Sequence, residues 1–229
     1  NTVEVQASEK AVIFVHGYPS GVHAHQFQTG KRFFNERGYD VVRFSFFDTA
    51  ENARNVMDIT LASQVADLTQ VIGHFQKQYK SLYVVGHSYG GLTTLMANPQ
   101  SVKAVSFWDP TFGPAVGSWV EFTDYNEGVG ACVMGGIVRQ LTGKAAYDEA
   151  LSHNLDTSKA YAAKFKSPAQ VVLAEIQPEK MDRSLLYHSL PETVDRELLT
   201  LEGTSHSFVE GNKIYELLEA TRAWFEKHP

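Results

Sequence analysis

Leu82-Tyr83-Val84-Val85-Gly86-His87-Ser88-Tyr89-Gly90-Gly91-Leu92-Thr93-Thr94-Leu95-Met96-Ala97 decides the reading of this chain. Four apolar residues run into a G-x-S-x-G pentapeptide, and a helix-compatible stretch follows at once. The order strand, sharp turn, helix puts Ser88 on the turn. Flanking glycines lack a Cβ, so the two elements can approach closely. The serine hydroxyl then projects above the sheet edge. The new helix, starting near Tyr89, aims backbone N–H groups at whatever the serine attacks. The pentapeptide alone recurs by chance, and the strand before it and the helix after it supply the context.

Two further signals share this logic. Upstream, Ala11-Val12-Ile13-Phe14-Val15 reads as a strand buried on both faces. It ends in His16-Gly17-Tyr18-Pro19-Ser20-Gly21, about 70 residues before Ser88. A His-Gly pair closing such a strand is where a second oxyanion donor would come from, although the same letters also suit an ordinary Gly/Pro loop. Downstream, Val194 to Leu201 reads as a strand. Glu202-Gly203-Thr204-Ser205-His206-Ser207-Phe208 follows, and then a helix over about 213–227. A histidine after the last strand can fold back onto a serine at the top of the same sheet, and its place after Ser88 suits the order Ser, acid, His.

On His16-Gly17, Gly86-His87-Ser88-Tyr89-Gly90-Gly91 and Ser205-His206-Ser207-Phe208, the chain resembles the α/β-hydrolase superfamily over essentially its whole length. The motifs are specific to the superfamily and not to a substrate. The resemblance implies an α/β-hydrolase fold, a mostly parallel sheet with helices on both faces, and a small helical lid. It also implies a serine esterase or lipase-like activity without a cofactor.

The rest of the chain supports the fold class. Strand patterns at 41–46, 103–108 and 169–174 alternate with helical ones at 27–36 and with the stripe Leu61, Val65, Leu68, Val71, Ile72, Phe75. Such alternation predicts a parallel sheet, with ligands at the carboxyl ends of its strands. The stretch from about Gly113 to Lys166 breaks it and is too long for a plain connection. We expect one domain, 1–229, with that stretch as the lid. Ile137, Val138 and Leu141 suggest a short helix there, and Lys144 to Ser152 another. Trp119, Phe122 and Tyr125 are candidates for an apolar acyl-side wall or for lid-to-body packing.

The 229 residues suffice for a well-buried core. A net charge of −6 argues against nucleic acid and anionic membrane as partners. No run of 18 apolar residues occurs, so no membrane span is expected. The one cysteine, Cys132, excludes an internal disulfide and reads as a buried structural thiol. A cytoplasmic location is the expectation. The chain opens on Asn1 rather than Met, which keeps a removed leader as the alternative. His23-x-His25 lacks a third ligand nearby, so no metal is expected.

The triad acid is the open position. A neutral imidazole must be held in one tautomer and stabilised once protonated, which a buried carboxylate does. The family most often carries this acid in a Gly-x-x-Asp pattern after the strand following the lid. This chain reads Gln177 there, with Glu175 and Glu179 nearby. The other place is the end of the strand before the lid, Phe107-Trp108-Asp109-Pro110, where pancreatic-type lipases carry theirs. An Asp-Pro pair also makes an ordinary turn cap. Asp109 is the expected acid, with Glu175 as the alternative. Glu179 and Asp182 stand behind them, and Asp48 is remote.

The resulting expectation is hydrolysis of small or medium acyl esters through a serine ester. Ser88 is the nucleophile, His206 the base, and the backbone N–H of Tyr89 together with, as the resemblance implies, that of Tyr18 the oxyanion hole. Turnover should fall in acid with a midpoint near the imidazole value of about 6.5. A thioesterase, an amidase or a carbon–carbon bond hydrolase would use the same residues. So would a weakly catalytic ligand-binding protein on this scaffold. A serine nucleophile argues against haloalkane dehalogenase and epoxide hydrolase chemistry. The partner expected is a small-molecule ester; oligomeric state stays open.

Overall fold

The computed structural model of the chain describes residues 2–4, 8–18, 20–113, 125–134, 140–176 and 182–229, with backbone alone at 2–4, 134 and 140. Trp119, Phe122, Ile137, Val138, Gln177 and Glu179 lie outside the described residues. The main sheet contains β1 (Thr2–Glu4), β2 (Lys10–Val15), β3 (Asp40–Arg43), β4 (Ser81–His87), β5 (Ala104–Trp108), β9 (Ala169–Ile176) and β10 (Arg196–Ser205). Its order is β1-β3-β2-β4-β5-β9-β10. β1 is antiparallel to β3, and the other six strands run parallel. Parallel strands need crossovers, which the helices α1 (His25–Asn35), α2 (Leu61–Phe75), α3 (Tyr89–Ala97) and α7 (Lys213–Glu226) supply or flank. This is the α/β-hydrolase architecture.

Burial on both faces explains the apolar runs. Val12 and Phe14 of β2 face Phe27, Phe34, Leu218 and Phe225 of α1 and α7. Ile13 and Val15 face the opposite layer with Leu68, Ile72 and Leu92 of α2 and α3. Side chains alternate across a strand, so one five-residue run feeds two cores. α2 opens on a reciprocal cap in which Thr60 and Ser63 each accept the other's backbone N–H. β3 stops at Arg43, short of the expected Phe46. There the Phe46 N–H turns aside to donate to His16 Nε2 at 3.2 Å.

Beyond the main sheet, β6 (Tyr125–Asn126), β7 (Ala131–Met134) and β8 (Gln140–Gly143) form an antiparallel sheet. Leu141, expected in a helix, pairs with Val133 across β7 and β8. Its neighbours alternate, with Leu141 exposed and Thr142 buried, and that period of two belongs to a strand. α4 (Lys144–Ser152) follows as expected, then α5 (Leu155–Ala162). The Glu149 carboxylate on α4 accepts from the Leu61 and Ala62 N–H groups, capping α2. α6 (Leu185–Ser189) lies between β9 and β10. Among the described residues no helix is long and apolar enough to cross a membrane.

Candidate active site

Ser88 joins β4 to α3 with φ 57° and ψ −123°, a conformation most residues avoid and one that clusters at functional sites. Its neighbours hold it there. The Ser88 N–H donates to Trp108 O at 3.0 Å, and the Thr111 N–H donates to Ser88 O at 2.8 Å. A Cβ on Gly90 would lie 2.2 Å from Val15 O, so α3 can start against β2 only with glycine at this position. Equally, a Cβ on Gly17 would lie 2.8 Å from Ser88 Cβ, which sets the His16-Gly17-Tyr18 loop directly beside the serine.

That loop is anchored by His16. With Phe46 N–H donating to Nε2, the ring donates from Nδ1 to Gly17 O at 2.8 Å. Burial pushes this imidazole down to about 4, so it stays neutral and keeps the tautomer its two bonds require. The Tyr18 ring lies 6.1 Å from that of Tyr89, and its hydroxyl pairs with Thr142 Oγ1 of β8 at 3.0 Å.

Asp109 directly follows β5 with φ 40°. It is fully buried, and its N–H donates to Val172 O at 2.7 Å. Oδ1 accepts from Ala174 N–H at 3.3 Å. Oδ2 lies 2.5 Å from His206 Nδ1 and also accepts from Arg183 Nη1. Arg183 Nη1 in turn sits 2.8 Å from His206 Nδ1. Nδ1 either donates to the carboxylate or accepts from the guanidinium, never both at once. The Asp109 carboxylate wins on charge, because a negative acceptor bonds an N–H about twice as strongly as a neutral one. His206 then carries its proton on Nδ1 and presents a bare Nε2. Among the described residues no hydrogen bond joins Ser88 Oγ to His206.

The His206 loop has its own supports. The His206 carbonyl accepts from His87 Nε2 at 2.9 Å, and His87 Nδ1 accepts from Gln26 Nε2 at 3.1 Å. Both Gln26 and His87 are buried. Burial first, then the neighbouring His206 charge, hold His87 well below its ordinary value, so this ring stays neutral as well. On the far side Glu210 accepts from Ser205 Oγ at 2.5 Å, Thr204 Oγ1 at 2.6 Å and Ser205 N–H at 3.1 Å. The Ser205 hydroxyl foremost holds its carboxyl down to about 2. Gln26→Leu removes the donor to a buried ring nitrogen. It should cost about 1–3 kcal/mol of stability, read as a lower denaturant midpoint at unchanged slope.

The other candidates stand elsewhere. Glu175 is exposed and accepts from Gly203 N–H at 2.7 Å. Asp182 accepts from Ser184 N–H at 3.0 Å, and Asp48 from Thr49 N–H at 2.7 Å. His23 Nδ1 pairs with Gln28, and the described residues hold no cluster of three metal ligands. Cys132 is buried on β7, where its Sγ donates to Thr142 O at 3.4 Å. Sequence reasoning missed Arg183, His87 and Gln26. His87 lies inside the serine motif, but nothing local marks its partners. Arg183 carries no signal beyond being a cation between two strands.

Residues 12–211 match the model of the alpha/beta hydrolase family. No curated protein matches the chain in sequence. Among solved structures it is similar to Est1E from Butyrivibrio proteoclasticus with ferulic acid bound. The TM-score is 0.74 at 16% identity, covering 97% of this chain and 91% of that one. An esterase domain of a Rhodothermus marinus protein gives TM-score 0.72 at 18% identity, covering 99% and 90%. The metagenome-derived lipolytic enzymes LipS and LipT give 0.73 at 20%, covering 99% and 97%. Likeness at these identities speaks for the fold, and the family match spans most of the sequence: the chain belongs to the alpha/beta hydrolase family.

Proposed function

We propose that the chain is a serine hydrolase cleaving carboxylic esters of small or medium acyl chains. The observation that carries this reading is the 2.5 Å contact between His206 Nδ1 and buried Asp109 Oδ2, on the same sheet edge as strained Ser88. Asp109 fixes the imidazole tautomer, His206 Nε2 takes the Ser88 proton, and Ser88 Oγ attacks the ester carbonyl. The tetrahedral oxyanion meets the backbone N–H of Tyr89, where α3 begins, and that of Tyr18 in the loop beside Ser88. Each donor supplies on the order of 3 kcal/mol in the transition state. His206 then protonates the leaving alkoxide, and a water activated by the same ring releases the acid. The segment at about 113–166 is the lid in this reading, tied to the oxyanion loop through Tyr18 and Thr142. A sequence with one cysteine suits a reducing compartment, and a cytoplasmic location belongs to the same proposal. Ester substrates are favoured by the neighbours, which include an esterase domain and Est1E with ferulic acid bound.

Two measurements test it. A fluorophosphonate should label Ser88 stoichiometrically, and Ser88→Ala should abolish the adduct; undiminished labelling of Ser88→Ala at another serine overturns the assignment. p-Nitrophenyl esters of graded acyl length should be turned over with a maximum at short or medium chains. Turnover of matched thioesters or amides with no ester cleavage would move the chain to those classes.

A further inference from the structure

A buried arginine, Arg183, lies beside His206, the proposed base. Arg183 is 6% exposed and lies against Asp109, which is 0% exposed, while about a third of the His206 side chain stays open. Burial lowers the guanidinium only to about 10, so at neutral pH the charge is fixed. Its Nη1 touches both Asp109 Oδ2 and the Nδ1 edge of His206. Its Nε is buried without a partner among the described residues, and there the Asp109 carboxylate is what holds the guanidinium.

From this juxtaposition we infer that Arg183 is a positioning residue of the site: its guanidinium locks Asp109 and sets a permanent positive charge against His206, so that hydrolysis persists into acid where a lone Ser-His-Asp arrangement has stopped. The physical reason is charge competition. An imidazolium at His206 would share one carboxylate oxygen with a guanidinium already in place, and like charges at hydrogen-bond range oppose each other. The other charged or titratable groups around His206 do not reverse this. His87 on β4 is neutral and gives its proton to the His206 carbonyl. Glu210, on the same loop, is spent on Thr204 and Ser205. Glu175, at the end of β9, is turned to Gly203. Among the described residues only Asp109 pulls the other way, and Arg183 divides its charge. Burial first, then the Arg183 charge, accordingly push the His206 imidazole down to about 3. The sign is clear. The base must be neutral, and a lowered value keeps it neutral to lower pH. The acid limb expected from the sequence alone, near about 6.5, moves to more acid pH.

The kinetic consequence rests on the serine-hydrolase reading, whereas the electrostatic one stands without it. The first measurement is an NMR titration of His206 in Ser88→Ala protein, which needs no turnover. A midpoint below pH ~5.5, about one unit under the reference value, supports the inference. A midpoint at or above that overturns it, even if Arg183 variants fail to fold. The second is the pH profile of kcat/KM on a short ester in the unsubstituted protein, Arg183→Gln and Arg183→Lys. In Arg183→Gln the limb should rise to the reference value or beyond, so activity at pH 5 falls about thirtyfold below its plateau. The unsubstituted protein and Arg183→Lys should lose far less. A limb unmoved by Arg183→Gln, or moved equally by Arg183→Lys, overturns the inference. If no ester is turned over, the functional proposal fails, and the His206 midpoint by NMR with and without Arg183→Gln in the Ser88→Ala background still decides the role of Arg183.

Discussion

Ser88→Ala should lower kcat on a short ester by about 10⁶, the scale known when a triad serine is removed elsewhere. In the proposed mechanism the serine forms the covalent intermediate, and Ala would leave only binding and oxyanion stabilisation. The backbone at Ser88 is itself unusual, with φ 57°. Ala accepts that geometry no better than Ser, so the fold should change little and the loss is one of chemistry. His206→Ala should cost a similar factor, because a hydroxyl without its base is a poor nucleophile. The double variant should be no worse than either single one, since the residues act as a unit. Losses that multiply in the double variant would show two independent functions and refute the shared mechanism. The checks are steady-state kinetics with a thermal melt on each protein.

Asp109→Asn should lower turnover by about 10⁴, as for a triad acid replaced by its amide. The amide can leave His206 in the wrong tautomer and cannot stabilise an imidazolium. A second effect is particular to this protein. Asp109 is the carboxylate paired with buried Arg183, and removing one partner of a buried pair costs about 3–5 kcal/mol. The single variant should therefore be both inactive and unstable, which would confuse a turn cap with a catalytic acid. Asp109→Asn combined with Arg183→Met removes the orphaned charge. This double variant should regain most of the melting temperature and none of the activity. Recovery of both would make Asp109 a structural residue. Glu175→Gln is the control. Its carboxylate is exposed and serves Gly203 N–H, so turnover should hold within a few fold. An inactive but folded Glu175→Gln, with Asp109→Asn active, would move the acid to the end of β9.

The sequence by itself determined the fold class, the serine turn and the chain order of the candidate residues, because these are local patterns. A run buried on both faces, such as Ala11 to Val15, must lie between helical layers wherever it occurs. Gly86 and Gly90 around Ser88 report a close approach that any other side chain would block. The histidine after the last strand was legible for the same reason, since sheet topology returns each strand end to one edge.

What surrounds these residues was decided by tertiary structure. Asp109 and Glu175 looked comparable in one dimension, and only the sheet order puts one against His206 and the other against Gly203. Leu141 read as helical because one apolar spacing suits either element, and pairing with Val133 chose the strand. Gln26 and His87 are 61 residues apart, and Arg183 is 74 from Asp109. No periodicity links such pairs, because a hydrogen bond between distant side chains leaves no spacing rule in the chain. The charge beside His206, and with it the pH at which the proposed base works, exists only once β5, the turn before α6 and the loop after β10 converge.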